Sequence, residues 1–348
     1  MTLLQKFQKY LQAQRIEGAY LSAPMSHHYL TDYCDIDSRM IVTPRELFVI
    51  TDARSADQVR QYLPNATIID PTRPDFTKKF RAATRGQRIG IEAEYLTVTG
   101  ESRLKKLLPR VSLVPIDETL HNFREIKTPH EVRSIARACS ITHQAFTRAK
   151  KLIRPGMTER AIAWSLEKIM RDASADGLAF PSIIAIGSHS AIPHHIPTTR
   201  KLPRHGFVLL DFGCLVRGYH ADMTRMIFLK KPTGKMKEIF TIVQNAQSSA
   251  IAMIRPNIMA KKIDNVARDI ITRAGYGDTF THSTGHGVGL EIHERPWINK
   301  TNTTKLKSGM VITVEPGIYL PGLGGVRIED TLAITKIGSK ILTASLHS

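Results

Sequence analysis

Cysteine is scarce in this chain: three among 348 residues, at positions 34, 139 and 214. Few, odd in number and far apart, they exclude a disulfide framework and fit a reducing compartment. Long apolar runs are missing too, with nothing near the ~18 consecutive apolar residues a membrane span needs. The opening MTLLQKFQKYLQAQRIEGAY spaces its apolar residues as a helix does and lacks the continuous apolar block of a secretory leader. These absences predict a cytoplasmic protein with no membrane partner. No internal repeat stands out, and no zinc-finger or basic-zipper spacing is present.

What the chain has is positive charge, with 49 Lys and Arg against 31 Asp and Glu, a net of +18. The excess is +3 over residues 1–125 and +15 over residues 126–348. It forms no basic tail, and pairs such as Lys230-Lys231 and Lys261-Lys262 are short. A solvated surface explains it better than a specific nucleic-acid site. Apolar residues at 42% and charged residues at 23% describe an ordinary folded chain, long enough for two domains.

The first 120 or so residues alternate helical and strand patterns. Leu3, Leu4, Phe7, Tyr10 and Leu11 predict a helix, Asp57–Leu63 another, and Ala19–Leu21, Arg39–Ile50, Thr67–Ile69 and Arg88–Glu92 predict strands. Such a mixture makes an α/β module. The character changes over 122–128, where Thr128-Pro129 starts a long amphipathic helix. Thr158 caps a second helix running to about Arg171, and further helices are expected over Met236–Ile254 and Ala260–Ala274.

Carboxylates stand where strands should be apolar. FVLLDFGCLVRGYHADMTRMIFL (207–229) reads as a hairpin reversing at Arg217-Gly218. In that register Asp211 faces Thr224 and Gly213 faces Asp222, so both carboxylates share one side. Cys214, one position out of phase, points away and packs. A second hairpin, VITVEPGIYL (311–320) with GVRIEDTLAIT (325–335), reverses at Pro321–Gly324 and sets Glu315 opposite Glu329. Buried carboxylates this close repel and resist desolvation. Arg225 and Arg327 could offset part of the charge, but shared divalent cations with oxygen ligands explain it better. THSTGHGVGLEIHE (281–294) adds His286 among glycines, with His293 seven residues on. It is no phosphate loop, since neither GK[ST] nor a helix-opening G-x-G-x-x-G is present. Likewise Asp211-Phe212-Gly213 matches the kinase metal motif without its catalytic loop.

Taken together, DFGCLVRGYHADMTR, STGHGVGLEIHERP, VEPGIY and RIEDT resemble the pita-bread metallopeptidases, and within them the proline-specific branch of Xaa-Pro dipeptidases (prolidases) and Xaa-Pro aminopeptidases. HYLTDYCDIDSRMIVTPRELFVITDARSADQ and FREIKTPHEVRSIARACSIT extend the resemblance over nearly the whole chain. It implies an α/β two-domain fold, with a creatinase/prolidase-type N-terminal domain over 1–124 and a C-terminal pita-bread α+β catalytic domain over 125–348. It implies a metal site at Asp211, Asp222, His286, Glu315 and Glu329, with Asp222 and Glu329 bridging two divalent ions, manganese before cobalt or zinc. Thr224 would hydrogen-bond a metal-binding carboxylate.

The implied reaction is hydrolysis of the Xaa-Pro imide bond, at the N-terminus of a peptide or in a dipeptide, by a metal-bridging hydroxide. Glu315 would shuttle the proton, while His194, in SAIPHHIP, and His293 stabilise the tetrahedral intermediate. His195 adjoins His194, and His189 reads as a bystander. Arg295 and Arg327 are candidates for binding the substrate, and HERPWI and CDIDSR depart from the family's commoner forms where specificity could be set. A homodimer is implied by the family alone. Two other readings stand beside this one: methionine aminopeptidase-like activity, and a non-catalytic module binding nucleic acid or protein. The first typically lacks the N-terminal domain, and the second does not need intact ligands.

Overall fold

Several helices in this chain begin where a side-chain oxygen can accept amides that have no helical partner. Thr128 accepts from the amide of Glu131, whose own carboxylate returns the bond to the Thr128 amide, with Pro129 in the first turn where no donor is lost. Thr158 and Asp52 cap the helices after them in the same way. The computed structural model describes residues 1–344, and the chain divides into two units, Met1–Arg124 and Glu125–Ser348.

The first unit carries strands β1 (Gly18–Leu21), β2 (Arg39–Val42), β3 (Leu47–Ile50), β4 (Thr67–Ile69), β5 (Arg88–Ile91) and β6 (Ser112–Pro115). They form one mixed sheet in the order β4-β3-β2-β1-β5-β6. Between and around them run α1 (Leu3–Ala13), α2 (Pro24–Thr31), α3 (Ala53–Tyr62), α4 (Phe76–Ala83), α5 (Val98–Leu107) and α6 (Asp117–Glu125). Phe80 and Leu104 from the helices join Ile41, Ile50 and Ile89 from the sheet in one buried cluster. The α3 helix begins four residues before the expected Asp57, because Asp52 accepts the Arg54 amide. α2 has no side-chain cap of its own. Glu92, some seventy residues away, accepts from the amides of Ser22 and Ala23 at 2.6 and 2.8 Å.

The second unit holds α7 (Pro129–Leu152), α8 (Glu159–Asp172), α9 (Gly234–Ala252) and α10 (Ala260–Arg273). Its strands are β7 (Gly177–Leu178), β8 (Ile183–Ile186), β9 (Phe207–Phe212), β10 (Cys214–Val216), β11 (Tyr219–His220), β12 (Met223–Phe228), β13 (Gly285–Gly287), β14 (Glu294–Ile298), β15 (Val311–Val314), β16 (Gly317–Leu320), β17 (Gly324–Arg327), β18 (Asp330–Ile334) and β19 (Ser339–Ile341). Ile239 and Val243 of α9 and Ile263 and Ile271 of α10 pack with Ile312, Val314 and Leu332 of the β15–β18 pair.

Both hairpins adopt the expected register. β9 and β12 pair Asp211 with Thr224, and β10 and β11 pair Val216 with Tyr219. β15 and β18 pair Val314 with Asp330, while β16 and β17 pair Gly317 with Arg327. The strands are nevertheless broken where continuous ones were expected. The first hairpin breaks at Gly213 and at Ala221-Asp222, the second at Glu315-Pro316 and at Ile328-Glu329. Pro316 has no amide to give the ladder. Gly213 lies so close to the Ala221 carbonyl that a Cβ would stand 1.8 Å from its oxygen. Asp222, Glu315 and Glu329 therefore sit at interruptions, and Asp211 two residues before one.

Gly213→Ala is expected to cost at least ~1–3 kcal/mol through forced backbone displacement, read as a lower urea midpoint. Gly338→Ala, with nothing near its new methyl, should leave the midpoint unchanged. Equal midpoints for the two variants would contradict this packing.

Candidate metal centre

The two broken hairpins are sewn to each other beside their carboxylates. The Glu329 amide donates to the Thr224 carbonyl at 3.2 Å, and the Thr331 hydroxyl donates to the Asp222 carbonyl at 2.8 Å. Arg225 hydrogen-bonds the Glu329 carbonyl and pairs with Asp330 at 2.5 Å. His286 enters from β13, its amide donating to the Thr313 hydroxyl at 3.1 Å. Glycines on either side allow this approach, since a Cβ at Gly285 would stand 2.0 Å from the Thr313 carbonyl oxygen.

These constraints gather Asp211, Asp222, His286, Glu315 and Glu329 at the wall of one cavity of about 500 Å³. Donor atoms of Asp222, His286 and Glu329 lie within 4.8 Å of one another. The His286 Nε2 is 3.6 Å from Asp222 and 3.3 Å from Glu315. Its Nδ1 sits 3.0 Å from the Gly287 carbonyl, which can only accept. The proton of the neutral ring is thereby placed on Nδ1, and Nε2 keeps a lone pair for a metal.

Four carboxylates here face one guanidinium. Burial, then the neighbouring negative charges, push the Asp222 and Glu329 carboxyls well above their ordinary range. Burial also raises Asp211, despite the Arg327 charge beside it. Glu315 goes the other way: burial opposes its ionisation, but the His286 imidazole beside it, with His282 and Arg327 beyond, outweighs that and holds the carboxyl at about 2. Asp211 Oδ1 and Glu329 Oε1 are buried without a hydrogen-bond partner. Hard oxygen donors, an imidazole lone pair, two orphaned oxygens and unbalanced negative charge all fit divalent cations.

Arg327, 3% exposed, is the organising cation. It pairs with Asp211 at 2.5 Å and donates to the hydroxyls of Thr224 at 3.1 Å and Tyr319 at 2.8 Å. The Thr224 hydroxyl in turn donates to Glu329 at 2.8 Å. Thr224 and Arg327 thus reach carboxylates of both hairpins. The Tyr319 hydroxyl also lies 2.8 Å from His282 Nε2, and burial pushes the tyrosine up to about 12 and His282 below its usual range. Neither His282 nor Tyr319 was singled out from sequence. The available signals were His282 four residues before His286 and Tyr319 at the end of VEPGIY.

His293 stands edge-on to His286, ring centroids 4.4 Å apart; burial, with the neighbouring His286, lowers it to about 4. His194 is exposed and lines the cavity. His195 is buried, its Nε2 2.9 Å from Glu159, and His189 bonds the same carboxylate. Ile292 and Trp297 line the cavity around His293, but Arg295, between them in the chain, does not. Arg327 does reach the wall, but with donors turned to Asp211, Thr224 and Tyr319 it serves the carboxylates. Cys214 is fully buried and bonded to the Ala138 carbonyl.

Comparison with known proteins follows the same division of the chain. The sequence profile of metallopeptidase family M24 matches residues 133–336, and that of the creatinase/prolidase N-terminal domain matches residues 4–126. An Xaa-Pro dipeptidase of Pyrococcus furiosus is 36% identical over 343 residues, covering 98% of this chain and 97% of that protein. The solved Xaa-Pro dipeptidase of Bacillus anthracis superposes with a TM-score of 0.92 at 33% identity, over 98% of this chain and 97% of that one. The X-Pro aminopeptidase of Thermotoga maritima superposes with a TM-score of 0.88 at 33% identity, over 97% and 99%. Carboxylates paired across two interrupted hairpins, a histidine with its Nε2 bare and these matches together place the chain in metallopeptidase family M24, with a creatinase/prolidase N-terminal domain ahead of its catalytic part.

Proposed function

We propose that this protein is a dinuclear-metal peptidase cleaving the Xaa-Pro imide bond at the N-terminus of peptides and in dipeptides. The observation that carries this reading is the convergence of four carboxylates, three of them buried, and the His286 Nε2 on one cavity. Residues 1–124 are assigned as the creatinase/prolidase-like domain and residues 125–348 as the pita-bread catalytic domain. Asp211, Asp222, His286, Glu315 and Glu329 would hold two divalent ions, with Asp222 and Glu329 shared and manganese the preferred metal. When bound, such a pair supplies Lewis acidity to the scissile carbonyl and makes water a nucleophile at neutral pH.

The chain's own residues do the rest. Glu315, beside His286, accepts the proton of the attacking water and returns it to the departing proline nitrogen, which has no hydrogen of its own in the imide. His194 and His293 donate to the carbonyl oxygen as negative charge grows on it. Thr224 and Arg327 hold Glu329 and Asp211 in place. Phe180, Ile292 and Trp297 give the cavity an apolar wall suited to a pyrrolidine ring. The relatives named Xaa-Pro dipeptidase and X-Pro aminopeptidase support the choice of bond. The assembly is taken to be a homodimer acting in the cytoplasm.

Ala-Pro and Ala-Pro-Ala are expected to be cleaved at the bond before proline, and Ala-Ala at least about tenfold more slowly, a modest pocket discrimination. Equal rates on Ala-Ala would contradict the proline assignment. Dialysis against a chelator should abolish turnover and manganese should restore it; full activity in the chelated enzyme would overturn the metal mechanism. Asp222→Ala should lose more than about a hundredfold in activity, beyond the usual cost of removing a group that only supports a metal ligand. Retained turnover at low added metal would contradict the shared-ligand role.

A further inference from the structure

Glu159 opens α8 directly behind the Thr158 cap, yet its side chain is fully buried. Its carboxylate is saturated with donors. Oε1 accepts from the Ile186 amide at 2.8 Å and faces His189 Nδ1 at 2.8 Å. Oε2 accepts from the Thr198 amide at 2.8 Å and the Thr198 hydroxyl at 2.6 Å, and faces His195 Nε2 at 2.9 Å. All of these groups belong to one stretch, residues 186–198, on the way from β8 to β9.

That same stretch builds one side of the cavity, supplying Pro193, His194, His195, Ile196 and Pro197 to its wall. His194 lies between the attachment points at His189 and His195. With the His195 Nε2 committed to Glu159, the exposed His194 is the imidazole left to meet a ligand. The backbone is tied back to the helix as well, with the Glu159 and Arg160 amides donating to the carbonyls of Arg200 and Thr198 at 3.1 Å each. Glu159, His189 and His195 could also be read as three ligands of an ion. An ion seated there would compete for oxygens that already accept from the Ile186 and Thr198 amides and the Thr198 hydroxyl, and buried amides that lose an acceptor are costly. An anion held by donors is the better account. Burial opposes its charge, but the bonds from His195, Thr198 and Ile186 outweigh burial and keep the carboxyl at about 2.

We propose that Glu159 is a positioning residue of the peptidase, its buried carboxylate setting the conformation of residues 186–198 and so placing His194 against the substrate. Charge-assisted bonds to several points of one segment rigidify it more than neutral ones would. The proposal rests on the peptidase reading above and on the place of His194 in it.

Glu159→Gln keeps the shape, removes the charge and turns an amide donor toward other donors. It is expected to lower kcat/KM on Ala-Pro by roughly ten- to hundredfold, as loss of a supporting partner does, with metal content unchanged. Amide hydrogen exchange should accelerate within residues 186–198. In a His194→Ala background the same substitution should cost less than about twofold, because the two residues act as one unit. Wild-type turnover with wild-type exchange in Glu159→Gln would overturn the proposal, as would an undiminished loss on the His194→Ala background. Should Glu159→Gln fail to fold, His195→Gln removes one tie; faster exchange over the same residues supports the tether, and wild-type exchange overturns it. A wild-type enzyme that cleaves no Xaa-Pro peptide, with the segment still loosened in Glu159→Gln, would sink the peptidase reading while supporting the tether.

Discussion

Crowding four carboxylates into a buried space is the constraint on which the catalytic unit is built. Desolvated like charges repel strongly, and a fold relying on protein groups alone would replace most of them with apolar residues. Here the protein supplies one guanidinium, Arg327, and spends it on Asp211. The carboxyls of Asp222 and Glu329 are driven toward protonation by burial and by the neighbouring carboxylates. Divalent cations held by Asp211, Asp222, His286, Glu315 and Glu329 would complete the charge balance and supply Lewis acidity.

The backbone is arranged to make that crowding feasible. A continuous ladder would fix each carboxylate rigidly on the pleat, with neighbours only across the strand. Breaks at Gly213, Ala221-Asp222, Glu315-Pro316 and Ile328-Glu329 let two hairpins lean their carboxylates into a shared space. Bonds from Glu329 to Thr224 and from Thr331 to Asp222 then lock the hairpins together. In the proposed mechanism the imidazoles that donate to the carbonyl oxygen come from loops, His293 from the β13–β14 side and His194 from a segment anchored on Glu159.

Much of this was readable in the sequence, for a definite physical reason. Strand side chains alternate with a period of two, so one reversal point fixes every facing pair, and both hairpins have the register their turns dictate. Helices with local caps, such as the one starting at Thr128-Pro129, were legible too. Features depending on distant partners were not. The turn that enters α2 is held by Glu92 from another part of the unit, through the Ser22 and Ala23 amides. The chain of contacts from Arg327 through Tyr319 to His282 joins residues whose spacing carries no periodic signal. His194 and His195 are indistinguishable in sequence until Glu159 claims one of them. The strand breaks also escaped notice, since Pro316 removes a ladder donor inside a run that otherwise reads as continuous strand.

The net charge of +18 takes a different meaning in this light. It stands beside a cavity lined by four carboxylates, and an intact ligand set gives that cavity a use that a binding module would not need. The central claim, that the fold is completed by cations, is tested most directly by metal content and thermal unfolding measured on the same purified chain. The account predicts two divalent ions per chain and a lower Tm once a chelator has removed them, since a ligand bound to the native state stabilises it. A chain that binds no divalent ion and unfolds at the same temperature with and without chelator would contradict it.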